Sequence, residues 1–340
     1  KMKFINTLKG ENTKVPPIWI MRQAGRYLPE YRNIRQTADN FIAFCLDSEK
    51  ASEVTLQPIR RYGFDAAIIF SDILLVPWAM KRNVQFIPGT GPKLVTYAEN
   101  PEIYQPDSVE LETLYAPVSK AIALTREKLD AETALIGFSG APWTLLTYMV
   151  EGGSSRDFAE SRQLIYSDLK QCRYIIDMLV EQIVAFLALQ AKAGADVLML
   201  FDSWSGAVPA EFRTELVIAP HKKIIESLRQ QNIHQPVIAF PKGLGEGLID
   251  YTNAVDIDAV ALDHMTDIGW AHSNIRPELT FQGNIDPLSL VAGGQQMRNS
   301  IDSVLDIMQD RPHIFNLGHG VVPHTPPEHV AELVDYVRAR

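Results

Sequence analysis

The chain has 340 residues, 46% of them hydrophobic and 21% charged, with 41 acidic against 32 basic side chains and a formal net charge of −9. Over residues 1–340 this length and apolar content suit one large soluble domain or two small ones and exclude disorder as the main state. The acidic total argues against general nucleic-acid binding, which needs a basic face to displace counterions, and two cysteines without a CxxC neighbour argue against a disulfide framework or a thiolate zinc site.

In chain order, the start lacks the apolar region of a signal peptide, so a cytoplasmic location is expected. Short apolar runs at 17–21, 66–70, 134–138, 197–201, 236–240, 259–262, 279–282 and 313–317 predict eight strands. Helical patterns lie between them, as in the stripe Leu179, Ile183, Phe186, Leu187 and Ala191. Such alternation predicts a parallel sheet, closed as a (β/α)8 TIM barrel, with an open doubly wound sheet as the alternative. The segment 77–106 carries Pro77, Pro88, Pro92, Pro101 and Pro106, yet also Trp78, Met80, Val84, Phe86, Ile87 and Tyr97. A flexible linker would not keep so many large apolar groups, so it is expected as a packed excursion over the barrel mouth after the second strand. Asp72 and Pro77 interrupt the first long apolar stretch, and Asp177 and Glu181 the second, which argues against a membrane span. Thr325-Pro-Pro-Glu328 predicts a capping box with proline at the first helical position of the final helix.

In parallel barrels, chemistry gathers where strands end. The ends here carry Arg22, Ser71-Asp72, Ser139, Asp202-Ser203, Lys242, Asp263-His264, Asn284 with Asp286, and His319. Asp, Ser and Asn at these points also suit helix caps, so both readings stand. The first loop concentrates Arg22, Arg26, Arg32 and Arg35 against a single acid, Glu30, which predicts a site for a ligand with several anionic groups. A solvated helical face with Glu30 paired to one arginine is the alternative, and Gly25 and Pro29 argue against it. Asp72 lies between apolar runs and must be paired or hydrogen-bonded, either as a cap or as an acceptor reserved for ligand donors.

Other signals fail or stay partial. Gly243-Leu-Gly245-Glu-Gly247 has Leu248 where GxGxxG needs glycine. His319, His324 and His329 do not follow helical ligand spacing. Ser139 approximates a nucleophile elbow, with Asp202 and His319 downstream in hydrolase order.

Several long runs resemble the uroporphyrinogen decarboxylase family: Pro17-Ile-Trp-Ile-Met-Arg-Gln-Ala-Gly-Arg-Tyr-Leu-Pro-Glu-Tyr-Arg32, Ile69-Phe-Ser-Asp-Ile73, Gly137-Phe-Ser-Gly-Ala-Pro-Trp-Thr144, Thr147-Tyr-Met-Val-Glu-Gly-Gly153, Phe201-Asp-Ser-Trp204, Phe240-Pro-Lys-Gly243, Gln282-Gly-Asn284 and Asn316-Leu-Gly-His-Gly320. The resemblance implies a single barrel, a homodimer, and decarboxylation of the four acetate arms of uroporphyrinogen III to give coproporphyrinogen III, without metal or cofactor. It implies that Arg22, Gln23, Ala24, Gly25 and Arg26, with Arg35 in addition, bind substrate carboxylates. Asp72 would lie under the macrocycle centre, and Tyr148, Ser203 and His319 would hold acetate or propionate groups. Lys242 departs from the arginine expected in many bacterial members. A serine hydrolase built on Ser139 and a non-enzymatic tetrapyrrole carrier are the competing readings. Corrinoid methyl transfer on a related barrel would need a zinc-thiolate site, for which Cys45 and Cys172 are poorly placed.

Overall fold

The computed structural model describes residues 2–340. Nine strands occur among them: β1 (Ala66–Ile68), β2 (Gln85–Ile87), β3 (Gly91–Lys93), β4 (Ala134–Gly140), β5 (Val197–Asp202), β6 (Val237–Pro241), β7 (Ala259–Ala261), β8 (Thr280–Gln282) and β9 (His313–Ile314). Seven form one curled parallel sheet in the order β1-β4-β5-β6-β7-β8-β9. The Ile, Val, Leu and Ala of β4, β6 and β7 are buried throughout, as expected for strands covered on both faces.

The stretch 17–21, expected as the first strand, forms only an isolated parallel bridge, Ile18 to Phe315. Pro16 and Pro17 have no N–H to donate to a ladder, and Ile18 N donates to the Asp65 carboxylate at 2.8 Å. The stretch nevertheless meets both sheet edges. Phe315 N donates to Pro17 O at 2.9 Å beside β9, and Asp65 N donates to Ile18 O at 2.9 Å beside β1. Gln23 completes the second edge with its side chain, its amide donating to Ala66 O at 3.2 Å and accepting from Ile68 N at 3.3 Å.

The stripe through Leu179 and Phe186 lies in the helix Leu169–Lys192. It reaches a mean hydropathy of 1.6, but 72% of that apolar window is buried inside the protein. The helix Pro327–Ala339 starts one residue later than the capping box predicts; its cap is Pro326, with no side-chain hydrogen bond, and Thr325 Oγ1 has no partner among the described residues. A residue before proline is pushed toward extended backbone, and the run Thr325-Pro326-Pro327 applies that twice.

The proline-rich segment holds the antiparallel hairpin β2–β3, with Met80, Val84 and Leu94 buried. Leu94 N donates to Gly152 O at 3.0 Å and Tyr97 N to Met149 O at 2.8 Å, which ties the segment to the end of the helix Pro142–Glu151. Gly153 permits this contact, since a Cβ there would lie 2.7 Å from Pro92 O.

Candidate active site

The arginine loop is part loop and part helix. Pro29–Arg35 is helical, with proline at its first turn, where the missing N–H costs nothing. Glu30 pairs with Arg61 at 3.2 Å rather than with a loop arginine, which corrects the alternative that paired it within the loop. Arg32 donates to Arg26 O at 2.7 Å and Tyr27 O at 3.2 Å, so it fastens the loop. Arg35 lies 5.8 and 5.6 Å from the Phe41 and Phe44 ring centroids and donates to Ala38 O at 3.3 Å. Arg22 and Arg26 are exposed and form no ion pair among the described residues. Arg22 has φ of 61°, a left-handed conformation rare outside glycine. Gly320 makes room for its stem, because a Cβ there would come within 2.4 Å of Arg22 Cδ. Ala24 and Gly25 are half-buried between the two arginines, and the Gln23 side chain is fully buried on β1.

Asp72 follows β1. Its Oδ1 accepts from Leu74 N at 2.8 Å, so the cap reading holds for one oxygen. The other takes no hydrogen bond from the described residues. Burial raises its pKa from 3.8 to about 6, against the pull of the Leu74 N–H and of Arg22. Tyr148 stands on the helix Pro142–Glu151 beside Trp204 and Ser154, its phenol pushed up by burial and, further, by the Asp72 charge.

His319 follows β9. Gly320 N donates to its Nδ1 at 2.8 Å, which leaves the ring proton on Nε2. Burial, then Arg22 and Lys242, push its pKa down to about 3, so at neutral pH it is an uncharged donor. Ser203 is half-buried directly after β5. The rings of Phe138, Phe201, Phe240 and His319 follow one another at 5.4, 6.2 and 6.2 Å and give this end of the sheet an apolar floor.

Several strand-end residues are structural. Asp263 accepts from Met265 N and Gly243 N, each at 2.9 Å, Asn284 donates to Asp263 O and Thr266 O, and Asp286 caps Leu288 N. Ser139 is fully buried and donates to Gly140 O at 3.0 Å. Asp202 bonds His221 at 3.1 Å, not His319, so the hydrolase triad is not assembled. A fluorophosphonate probe is therefore expected to leave Ser139 unlabelled by intact-mass analysis, and stoichiometric labelling there would restore that reading.

The sequence pattern did not single out Trp204 or Phe158, whose rings pack at 5.1 Å beside Tyr148 and Lys242. Trp204 sits within the Phe201-Asp-Ser-Trp204 run, which was the available signal. Among the described residues no group of three or more His, Cys, Asp or Glu is arranged to hold a metal ion. Burial keeps both thiols protonated, Cys172 at about 12 and Cys45 well above its usual range.

Residues 1–340 match the family described as uroporphyrinogen decarboxylase (URO-D). The protein named uroporphyrinogen decarboxylase from Novosphingobium aromaticivorans is 45% identical over 340 residues, covering 98% of each chain. Its namesake from Rhodospirillum rubrum is 44% identical over 336 residues, covering 99% of this chain and 97% of its own. Among solved structures, a methyltransferase from Methanosarcina mazei aligns with a TM-score of 0.80 at 16% identity, covering 100% of this chain and 98% of the other. A B12-independent methionine synthase from Shewanella sp. W3-18-1 aligns with a TM-score of 0.56 at 11% identity, covering 86% and 88%. At these identities the two structures speak for the fold alone.

Proposed function

The chain belongs to the uroporphyrinogen decarboxylase family, and from that premise we propose how its residues perform the carboxy-lyase reaction, uroporphyrinogen III to coproporphyrinogen III in porphyrin biosynthesis. The whole chain acts as one domain, with the stretch 17–21 as the eighth stave that closes a (β/α)8 barrel. Its bonds to both sheet edges support this. The proline-rich excursion borders the barrel mouth, a reading supported by its ties to the helix that bears Tyr148.

One observation carries the site assignment: half-buried Asp72 presents a carboxylate oxygen that takes no hydrogen bond from the described residues, within the field of Arg22. Four macrocycle N–H groups are suitable donors for it. Hydrogen bonds to a charged group contribute ~1.5–3 kcal/mol each, enough together to offset the several kcal/mol of burying the charge. Arg22 and Arg26, with Arg35 behind them, hold substrate carboxylates. Gln23, Ala24 and Gly25 contribute backbone, since the Gln23 side chain is occupied on β1. Tyr148, Ser203 and the Nε2–H of His319 hold further acetate or propionate groups.

A pyrrole serves as its own electron sink. Protonation of the ring carbon beside an acetate arm gives an iminium-like cation, which the Asp72 charge stabilises. The bond to the carboxylate then breaks, carbon dioxide leaves, and the electron pair enters the ring as an exocyclic double bond. A second proton makes the methyl, and loss of the first restores the pyrrole. Arginine is a poor acid because its pKa exceeds 12, so Arg22 and Arg26 act through charge.

A cytoplasmic homodimer belongs to the same reading. Met265, 83% exposed, stands on the loop after β7, and Leu288, 57% exposed, on the helix Pro287–Ala292 that follows β8, where a second copy would cover them. The acidic total disfavours nucleic acid, and the most apolar helix is covered by the protein itself rather than offered to a membrane.

The test is anaerobic incubation with uroporphyrinogen III, with and without chelator. Coproporphyrinogen III in both arms is expected, and binding without turnover would instead favour a carrier. Arg26→Ala should raise KM about 10- to 100-fold, the loss of one charge-assisted pair, and leave kcat within about threefold. A kcat collapse at unchanged KM would reassign Arg26 to the chemical step.

A further inference from the structure

Lys242 is a motif residue that the reaction described above leaves unused. It directly follows β6, three strands along the sheet from the one that carries Asp72. Its backbone is fixed: Lys242 N donates to Asp202 O at 3.1 Å, and its carbonyl accepts from Gly206 N at 3.0 Å and Ser205 Oγ at 2.8 Å. Its Nζ lies 5.1 Å from the Trp204 ring centroid, so the aromatic face orients the ammonium.

We propose that Lys242 is a further substrate-binding residue, whose ammonium, laid against Trp204 and facing Arg22 and His319, receives one side-chain carboxylate of the tetrapyrrole. The proposal rests on the decarboxylase reading and deepens it.

Three observations support it. Lys242 forms no ion pair among the described residues although it is only half-exposed. The one carboxylate near it, Asp263, is committed to Met265 N, Gly243 N and, at 3.3 Å, Thr266 Oγ1. Burial lowers the lysine pKa, Asp263 raises it, and Arg22 lowers it further, so the ammonium is held where a counter-charge is lacking. The His319 ring lies 6.2 Å from that of Phe240, two residues before Lys242, and the Arg22 stem rests against Gly320 beside His319, so the three groups are neighbours, and the Arg22 and Lys242 charges both depress His319. A bound carboxylate supplies the missing negative charge to both cations, and His319 Nε2–H remains available as a donor beside it.

Lys242→Met and Lys242→Arg test the assignment in steady-state kinetics with uroporphyrinogen III and in anaerobic equilibrium dialysis with uroporphyrinogen III and coproporphyrinogen III. The Met variant should raise KM and Kd about tenfold, which is about 1.4 kcal/mol, with kcat within about threefold of wild type. The Arg variant should restore both constants to within about threefold. Equal weakening toward coproporphyrinogen assigns the contact to a propionate, which survives the reaction. Weakening confined to uroporphyrinogen assigns it to an acetate. A KM and Kd within twofold of wild type in the Met variant would overturn the proposal, as would a fall in kcat alone, the signature of a lysine that only braces Trp204. Lys242→Gln serves the same comparison where the Met variant fails to fold. Wild-type protein that binds uroporphyrinogen without releasing carbon dioxide would defeat the decarboxylase reading, while the dialysis arms would still decide Lys242.

Discussion

Replacing Asp72 by Asn should lower kcat by ~10³-fold, about 4 kcal/mol of barrier, while making the unliganded protein more stable. Asn can keep the cap to Leu74 N through its oxygen, and then its amide nitrogen faces the macrocycle, a donor set against donors. The cation formed on protonation of the pyrrole also loses its counter-charge. The stability gain has the opposite origin. Burial raises the Asp72 pKa from 3.8 to about 6, so the folded protein holds this proton more tightly than the unfolded chain. Stability therefore falls as pH rises from about 4 to about 6, and above that the cost of ionising the buried group is complete, about 2–3 kcal/mol. Asn carries no such cost. Melting temperatures of the two proteins should converge near pH 4 and separate by pH 7, with the variant higher. Wild-type kcat/KM should fall as pH drops through about 6, because substrate then meets a protonated acid. A variant with wild-type turnover would remove the central carboxylate from the mechanism, and parallel melting curves would remove its desolvation.

His221→Ala should cost ~2–5 kcal/mol of stability, about 1–3 kcal/mol for each of the two buried polar groups it leaves without a partner. Asp202, His221 and Tyr251 are fully buried. Thr144 Oγ1 donates to Asp202 Oδ1 at 2.6 Å, His221 Nε2 meets Oδ2 at 3.1 Å, and Tyr251 Oη meets His221 Nδ1 at 2.8 Å. Removal of the imidazole leaves Oδ2 and the tyrosine hydroxyl without partners in a dry interior. The damage reaches the site because Thr144 Oγ1 also accepts from Trp204 N at 3.1 Å, so Ser203 and Trp204 lose their anchor and KM should rise as well. Urea unfolding gives the measurement, and a loss below about 1 kcal/mol would show that the network does not act as a unit.

The buried strands were legible because parallel strands covered on both faces read as uninterrupted apolar runs: 134–138 and 197–201 each fall inside β4 and β5 as observed. The stretch at 17–21 is equally apolar and makes backbone bonds to both edges, but the N–H groups of Ile18 and Met21 go to side chains, the Asp65 carboxylate and the Asn316 amide oxygen, and composition carries no sign of that. Pro29 reads as a helix breaker by propensity and yet opens one, since proline is unfavourable inside a helix and well suited to its first turn. At the site, the Arg22 cluster and Asp72 stand out in the sequence because charge in apolar or acidic surroundings is conspicuous. Asp202 stands out too, yet its partners His221 and Tyr251 follow no spacing rule. They meet it only through the fold, as does Lys242 with Trp204.

The bonds of Ile18 to Asp65 on one side, and of Pro17 and Trp19 to Phe315 on the other, have a consequence in time. During synthesis, Arg22 and its neighbours can settle against β1 early, but their second edge does not exist until nearly three hundred further residues have been made. Gly320, against which the Arg22 stem rests, arrives later still. Closing so long a loop is among the slowest contacts a chain forms. The loop that carries Arg22 and Arg26 should thus be the last part to mature, and a nascent chain that stops short of β9 should hold most of its core without that loop in its final place.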